Sequence, residues 1–221
     1  STEAIFPAAC RCSATLLWFP YGCHTMPRIV DHEQQRNALA ATAAEVVAQA
    51  GLEQATLRQV ASRHGCTKGM VQHYFADKDA LLTAGLDWVD DSCNSRLSRL
   101  GSTLAGLSLL EVRLRGMLPL DPQRQREWQV RLAFNNPQAL SPALSRSVQR
   151  RHLQQKETGL RLLRDARAAG ELRDDVSPLS ACRSLLSLVY GMSLAALINP
   201  LELPVAAQKK ILKSSIDNLR P

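Results

Sequence analysis

The chain has 221 residues and a formal net charge of +7, with 45% hydrophobic and 21% charged residues. This balance is typical of a globular protein with one large core, or with one small and one larger domain, and it excludes a charge-rich disordered chain. The longest apolar stretch, within residues 185–198, is interrupted by Ser187, Gly191 and Ser193, so we expect it to be too short to span a bilayer.

The six cysteines and five histidines predict neither a disulfide framework nor a metal site. Cys10, Cys12 and Cys23 lie near the start of the chain without the spacing of zinc-binding pairs, and the other cysteines are scattered. We therefore expect no metal and no cofactor. Residues 1–25 are rich in alanine, cysteine and aromatic side chains and nearly uncharged, which predicts an extension that is disordered or foreign to the natural protein.

Helical periodicity begins in residues 31–50, where apolar residues recur on one face up to Gly51. Thr56 and Gln59 have the spacing of a capping box, so a second helix is expected to begin there. Gly65 predicts its end, because glycine readily adopts the left-handed conformation of a helix C-terminus. Thr67 is expected to cap a third helix two residues later.

This pair of short helices predicts a helix-turn-helix that reads DNA. The residues expected to contact DNA lie on the third helix and its flanks: Arg28, Thr56, Arg58, Thr67, Lys68, Gly69, Gln72, His73, Tyr74 and Lys78. Arg28, Arg58, Lys68 and Lys78 are the expected phosphate partners, and Gln72 can bond a base edge. The excess positive charge lies elsewhere, in the arginine-rich residues 111–173, which we interpret as a solvated helix surface.

The order of these features, from Ala50 to Leu82 in AGLEQATLRQVASRHGCTKGMVQHYFADKDALL, resembles the TetR family of bacterial transcription regulators. His64 and Cys66 depart from the small or aliphatic residues usual at these positions. The resemblance implies an all-α fold in which a three-helix DNA-binding domain, residues 26–76, precedes a helical effector-binding and dimerisation domain, residues 77–221. It also implies a cytoplasmic homodimer that binds double-stranded operator DNA and a small-molecule effector.

Further helices are expected over residues 77–100, 109–118, 122–135, 143–169, 179–198 and 204–219. Residues 179–198 are apolar on nearly all sides and carry a stripe of small residues that favours close packing against the same helix of a second subunit. Packing inside one subunit is the alternative. The expected dimer interface consists of Ser184, Ser187, Gly191, Ala195 and, on the last helix, Leu212.

The resemblance places an effector pocket between the connecting helix and the dimer helix, and its candidate residues are Trp88, Met117, Trp128, Arg131, Phe134 and Tyr190. Arg131 on an apolar face calls for an anionic ligand or a carboxylate partner such as Glu127. Without that arginine, Trp128 and Tyr190 could surround a cationic ligand. The sequence leaves these alternatives open.

The sequence therefore predicts a DNA-binding transcriptional repressor released from its operator by a small molecule. The alternatives are an all-helical enzyme and a regulator that binds a protein instead of a ligand. Against an enzyme, the chain has no phosphate-binding glycine loop and no G-x-S-x-G or H-E-x-x-H motif. His64 and Cys66 form the only nucleophile-like pair, and no acid is placed to orient them.

Overall fold

The computed structural model describes residues 29–100, 103–136, 138 and 140–221 of the chain. These residues form nine α-helices and no strand, so the predicted all-α class is confirmed for this part of the chain. The helices are α1 (Ile29–Gln54), α2 (Leu57–His64), α3 (Lys68–Tyr74), α4 (Lys78–Leu100), α5 (Gly106–Met117), α6 (Pro122–Ala133), α7 (Pro142–Ala168), α8 (Pro178–Ile198) and α9 (Val205–Asp217). The proposed extension, residues 1–25, and Arg28 lie outside the described residues.

Two apolar cores hold the helices together. The first joins α1, α2, α3 and the first half of α4 to Val130 on α6, to Phe134 just after α6 and to Leu144 on α7. The second joins α5, α7, α8 and α9 around Trp128, which also lies on α6. Because α6 contributes side chains to both cores, it connects the helix-turn-helix part of the chain to the body.

Local hydrogen bonds set the ends of α2 and the start of α4. The hydroxyl of Thr56 accepts a hydrogen bond from the backbone N–H of Gln59 at 3.1 Å, and the Asp77 carboxylate accepts one from the N–H of Ala80 at 2.8 Å. The reciprocal half of the expected capping box is not formed, since the N–H of Thr56 donates to the Gln54 carbonyl at 2.8 Å. Gly65 ends α2 with φ 79°, and its N–H donates to the carbonyl of Ser62.

His64 fastens α2 to α1 through both ring nitrogens. Its Nδ1 lies 2.9 Å from the hydroxyl of Thr42, and its Nε2 lies 3.0 Å from the side-chain nitrogen of Gln35. The Thr42 hydroxyl donates to the Ala38 carbonyl, so we assign the ring proton to Nδ1, with Nε2 accepting from Gln35. The unusual histidine in this sequence therefore makes a specific contact between two helices.

Helix α8 corrects one expectation from the sequence. By length and composition it is apolar enough to cross a membrane, with a mean hydropathy of 1.6 over its most apolar window. The apolar helix is longer than the stretch of residues 185–198 considered above, because it begins at Pro178. Its serine and glycine residues lower the mean hydropathy only slightly. A core helix passes the same test, and Leu185, Val189 and Met192 of α8 are buried in the second core.

We expect His64→Ala to lower the free energy of unfolding by about 1–2 kcal/mol, because two partly buried hydrogen bonds between α1 and α2 are lost. Urea unfolding followed by circular dichroism measures the change. The matched control is Ser62→Ala, an exposed position on the same helix. Equal unfolding midpoints for the two variants would contradict a stabilising role for His64.

Candidate nucleic-acid interface and ligand cavity

The outer face of α3 is largely uncovered by the other described residues of the chain. Lys68, Gly69, Gln72 and His73 are exposed, whereas Val71 on the opposite side is fully buried in the first core. The hydroxyl of Thr67 accepts a hydrogen bond from the N–H of Met70 at 3.2 Å and so caps the helix. This arrangement presents two long polar side chains and one cationic side chain, at helical spacing, to solvent.

Tyr74 contributes more to packing than to the exposed face. It is half-buried, and its ring centroid lies 4.6 Å from that of His32 on α1. His73 also contacts the ring of His32, with centroids 5.8 Å apart, although the His73 side chain is exposed. The contact with His32 therefore fixes the C-terminal end of α3 against α1.

The flanking candidates differ in availability. Thr56 and Arg58 are exposed at the start of α2, where a phosphate could approach them. Lys78 is half-buried, and its ammonium donates to the Glu53 carbonyl at 3.0 Å, so it joins the end of α1 to the start of α4. Since this bond uses the charged end of Lys78, its assignment as a phosphate partner is weakened.

The body contains a main cavity of about 590 Å³, bordered chiefly by α4, α5 and α7. One part of its wall is apolar and consists of Leu97, Leu110, Leu114, Met117, Leu162 and Leu186. The remainder is polar and includes Asn94, Gln154, Gln155 and Thr158. Six charged residues also line it, namely Asp87, Asp90, Asp91, Arg113, Arg131 and Arg151. The volume lies in the range of about 300–1,000 Å³ that is usual for small-molecule sites.

The structure divides the six candidate pocket residues among different places. Met117 and Arg131 line the main cavity, whereas Phe134 and Tyr190 line a small neighbouring pocket of about 30 Å³ that also touches Arg131. Trp128 is fully buried in the second core, and its indole N–H donates to the Met117 carbonyl. Trp88 lies outside the main cavity and lines another one, between α1, α4 and α6.

An alternating chain of six charges crosses α4, α6 and α7, and four of its members line the main cavity. The Arg96 guanidinium donates to both oxygens of Glu127 at 2.6 Å, and Glu127 lies 3.9 Å from Arg131. Arg131 reaches Asp90 at 3.3 Å, and Arg151 donates to Asp90 at 2.6 Å and also to Asp87. We call this set, Arg96–Glu127–Arg131–Asp90–Arg151–Asp87, the charge chain.

The charge chain is partly removed from water. The Glu127 side chain is only 3% exposed and that of Arg131 only 9%. The hydrogen bond from Arg96 to Glu127 raises the pKa of Arg96, and burial raises the pKa of the neighbouring Cys93 thiol. Cys93 is therefore a protonated, weakly reactive thiol in the cavity wall.

The Trp128 ring is enclosed by residues of the chain itself. Tyr190 packs against it edge-to-face with centroids 5.0 Å apart, and the Arg131 guanidinium lies 5.7 Å from its centroid. Both carboxylate partners of Arg131 are also present, namely Glu127, which the sequence suggested, and Asp90, which it did not. Arg131 thus occupies the place that a ligand cation would take against Trp128.

Sequence reasoning missed Asp87, Asp90 and Arg151. The two aspartates lie three residues apart on α4 and so share a face. This spacing was the one feature of the sequence that could have indicated a shared cationic partner. Their partner is 61–64 residues away on α7, among arginines that we interpreted as surface residues. That interpretation holds for Arg150, which is exposed, and fails for Arg151, whose side chain is 15% exposed.

The small-residue stripe of α8 faces outward. Ser184, Ser187, Gly191 and Ala195 are all exposed, and a β-carbon at Gly191 would meet nothing within 4 Å. Leu212, the remaining candidate for the dimer interface, is 1% exposed and belongs to the second core. It faces inward because the apolar stripe of α9, which also contains Ile216, packs on the body. Leu212 is therefore excluded from an outward-facing interface.

Two family models match the chain. Residues 39–84 match the model for bacterial regulatory proteins of the TetR family, and residues 108–221, more than half of the chain, match that for the C-terminal domain of BetI-type transcriptional repressors. The chain belongs to the TetR family. The resemblance stated for residues 50–82 is thereby confirmed.

Individual relatives match over different lengths. The HTH-type transcriptional regulator PksA of Bacillus subtilis is 30% identical over 111 residues, which are 49% of this chain and 54% of PksA. The match thus spans about half the length of that relative. The solved structure of a TetR-family transcriptional regulator from Cytophaga hutchinsonii has a TM-score of 0.74 at 18% identity, and the match covers 88% of this chain and 98% of that one.

A second solved structure carries a ligand. It is a transcriptional regulator from Saccharomonospora viridis in complex with choline, with a TM-score of 0.75 at 19% identity over 84% of this chain and 96% of that one. At these identities the two structures show that the fold is shared.

We expect Arg96→Met to destabilise the protein by about 3 kcal/mol, because it leaves the buried Glu127 carboxylate without its main partner. The double variant Arg96→Met/Glu127→Leu removes both charges and should recover most of the loss. Denaturant unfolding of the two variants and the single Glu127→Leu variant gives a double-mutant cycle. Additive losses would show that the two side chains do not depend on one another.

Proposed function

We propose that this TetR-family protein is a cytoplasmic, homodimeric transcriptional repressor whose operator affinity is lowered by a small molecule in the main cavity. The DNA-binding domain is residues 26–76 and the body is residues 77–221. The exposed face of α3 carries the proposal. Thr67 caps this helix, and its opposite side is held by Val71 in the first core and by the contact of Tyr74 with His32 on α1. We propose no cofactor and no membrane partner.

A seven-residue helix of this kind suits the DNA major groove. Gln72 can form paired hydrogen bonds with an adenine edge, and Lys68 can bond a phosphate at the N-terminal end of α3. Two copies of α3 are needed to read two half-sites, so the proposal includes a dimer.

The exposed face of α8 favours dimerisation through this helix. Close to the small-residue stripe, Leu194 is 44% exposed and Ile198 is 74% exposed. Ile211 on α9 is 38% exposed, and it replaces Leu212 in the proposed interface. Exposed apolar side chains on α8 and α9, together with small residues that permit close approach, favour burial against a second copy, since a two-fold axis brings identical faces together.

Release from DNA would follow from the position of the main cavity. Its wall includes α4, which is separated from the end of α3 by only three residues. A ligand that engages Arg151 competes with Asp87 and Asp90 and so weakens the attachment of α4 to α7. The ligand then favours dimers in which the two α3 helices are spaced incorrectly for successive major grooves.

The choline bound to the Saccharomonospora viridis protein makes a quaternary ammonium effector a natural candidate. In this chain the Trp128 ring is fully buried, and Arg131 lies beside it. Two cations beside one ring repel each other, so we propose that the effector is not a quaternary ammonium held by Trp128.

An enzyme and a regulator without a ligand are the alternatives to this function. The family membership favours regulation over catalysis. A thermal-shift screen against bacterial metabolites separates a ligand-responsive repressor from a regulator that binds only proteins. A stabilising metabolite that also lowers operator affinity supports the proposal.

We expect Gln72→Ala to reduce the preference for the operator over a scrambled duplex, since one paired base contact is worth about 1–3 kcal/mol. Lys68→Ala should instead weaken binding to both duplexes and lower the salt slope by about one. Fluorescence anisotropy with labelled duplexes measures both effects. Wild-type binding by a Gln72→Ala/His73→Ala double variant would remove this assignment of α3.

We expect Gly191→Leu to shift the protein toward monomers and to weaken operator binding, because the added side chain occupies the space between two subunits. Overpacking of this kind costs about 1–3 kcal/mol at each site and occurs twice in a symmetric dimer. Gly191→Ala is the matched control. Analytical ultracentrifugation measures the dimer, and an unchanged dimer with full DNA binding for Gly191→Leu would locate the interface elsewhere.

A further inference from the structure

A second cavity, separate from the main cavity, lies where the DNA-reading part of the chain meets the body. It has a volume of about 390 Å³ and lies between α1, α4 and α6, with Arg63 of α2 at its edge. We call it the joint cavity. Its apolar lining is Ala44, Ala48, Trp88, Val89 and Val130. Its volume is large enough for a small molecule with a fused or substituted aromatic ring.

The charges around the joint cavity favour an anion. Arg63 lies 3.9 Å from Glu45, and both side chains are about half exposed, at 48% and 55%. Arg126 is exposed and forms no ion pair within the described part of the chain. Glu127 also reaches the wall, but Arg96 already binds both of its oxygens at 2.6 Å. Two arginines therefore face one available carboxylate.

Trp88 indicates the apolar part of such a ligand. The side chain is half-buried and packs against the first core, yet it retains a surface in the joint cavity. A tryptophan surface beside small alanine side chains suits a flat ring, since aromatic groups stack face-to-face with an offset or edge-to-face. Gln49 and Gln123 are exposed in the same lining and add hydrogen-bonding groups.

We propose that the joint cavity is a second ligand site that binds a planar aromatic carboxylate. The ring lies against Trp88 and the two alanines, and the carboxylate pairs with Arg126 and Arg63. Such a ligand contacts α1, α2, α4 and α6 at once, and it stabilises the arrangement in which the DNA-reading helices pack on the body. This site is spatially separate from the effector site in the main cavity.

The experiment is isothermal titration calorimetry on the full chain with two probes of equal shape and opposite charge, 1-naphthoate and 1-naphthylmethylammonium. We expect the naphthoate to bind at least about tenfold more tightly. Gln49→Glu should weaken naphthoate binding about two- to fivefold and Gln49→Lys should strengthen it, because these changes place a negative or a positive charge at an exposed position of the joint cavity. Arg126→Gln should weaken naphthoate binding by a similar factor, because it removes a positive charge from the joint cavity.

Gln154→Glu and Gln154→Lys are the matched controls, because Gln154 is an exposed residue that lines the main cavity. These changes should leave naphthoate binding unaltered. The proposal is overturned if the two probes bind equally, if naphthoate does not bind up to its solubility limit, or if the Gln154 variants change its affinity while the Gln49 variants do not. None of these measurements depends on operator binding, so they test the joint cavity separately from the repressor function.

Discussion

The buried ion pair between Arg96 and Glu127 is the interaction on which the middle of this protein depends. Glu127 is 3% exposed and lies between two apolar cores, one reached by Val130 and the other by Trp128 on the same helix. A carboxylate in such a place is tolerated only when it is paired and hydrogen-bonded. The geometry of Arg96 meets this requirement and so fixes the rotation of α6 against α4. The relative position of the two cores follows from that rotation.

From Glu127 the charge chain continues through Arg131 and Asp90 to Arg151 on α7. Each member of the charge chain except the two at its ends has an oppositely charged neighbour on both sides. Displacing one member therefore leaves a partly buried charge without a partner, which lowers the stability of the folded protein. This sensitivity suits a wall that faces a ligand cavity, because a single new contact changes the balance between two helices.

The DNA-reading part was more predictable from the sequence than the cavity, for a physical reason. Its helix ends depend on residues three positions apart, as with Thr67 and Met70 or Asp77 and Ala80, and such spacing is visible in a linear sequence. The sequence also suggested the pair of Glu127 and Arg131, four residues apart on α6. It could not suggest Arg151 with Asp90, since only the packing of α7 on α4 brings residues 61 positions apart together.

Periodicity also limited the assignment of faces. Leu212 and the stripe of small residues on α8 both recur at helical spacing, but periodicity alone does not show which neighbour a face meets. In the structure Leu212 packs inward, while Gly191 is exposed. Trp88 and Trp128 were grouped by their aromatic character, yet α4 carries one to the joint cavity and α6 carries the other into the second core.

The two cavities lie against different members of one charge chain, and this has a thermodynamic consequence. Glu127 borders the joint cavity and Arg131 borders the main cavity, with 3.9 Å between their charged atoms. A ligand that displaces Arg131 alters the environment of Glu127, and a ligand that draws Gln123 away removes a hydrogen bond to the same carboxylate from the other side. Coupling between two binding sites is reciprocal, so each ligand must change the affinity of the other by the same factor. If the naphthoate probe and an effector of the main cavity bind at the same time, the strength of that coupling measures how rigidly α6 connects the two cores.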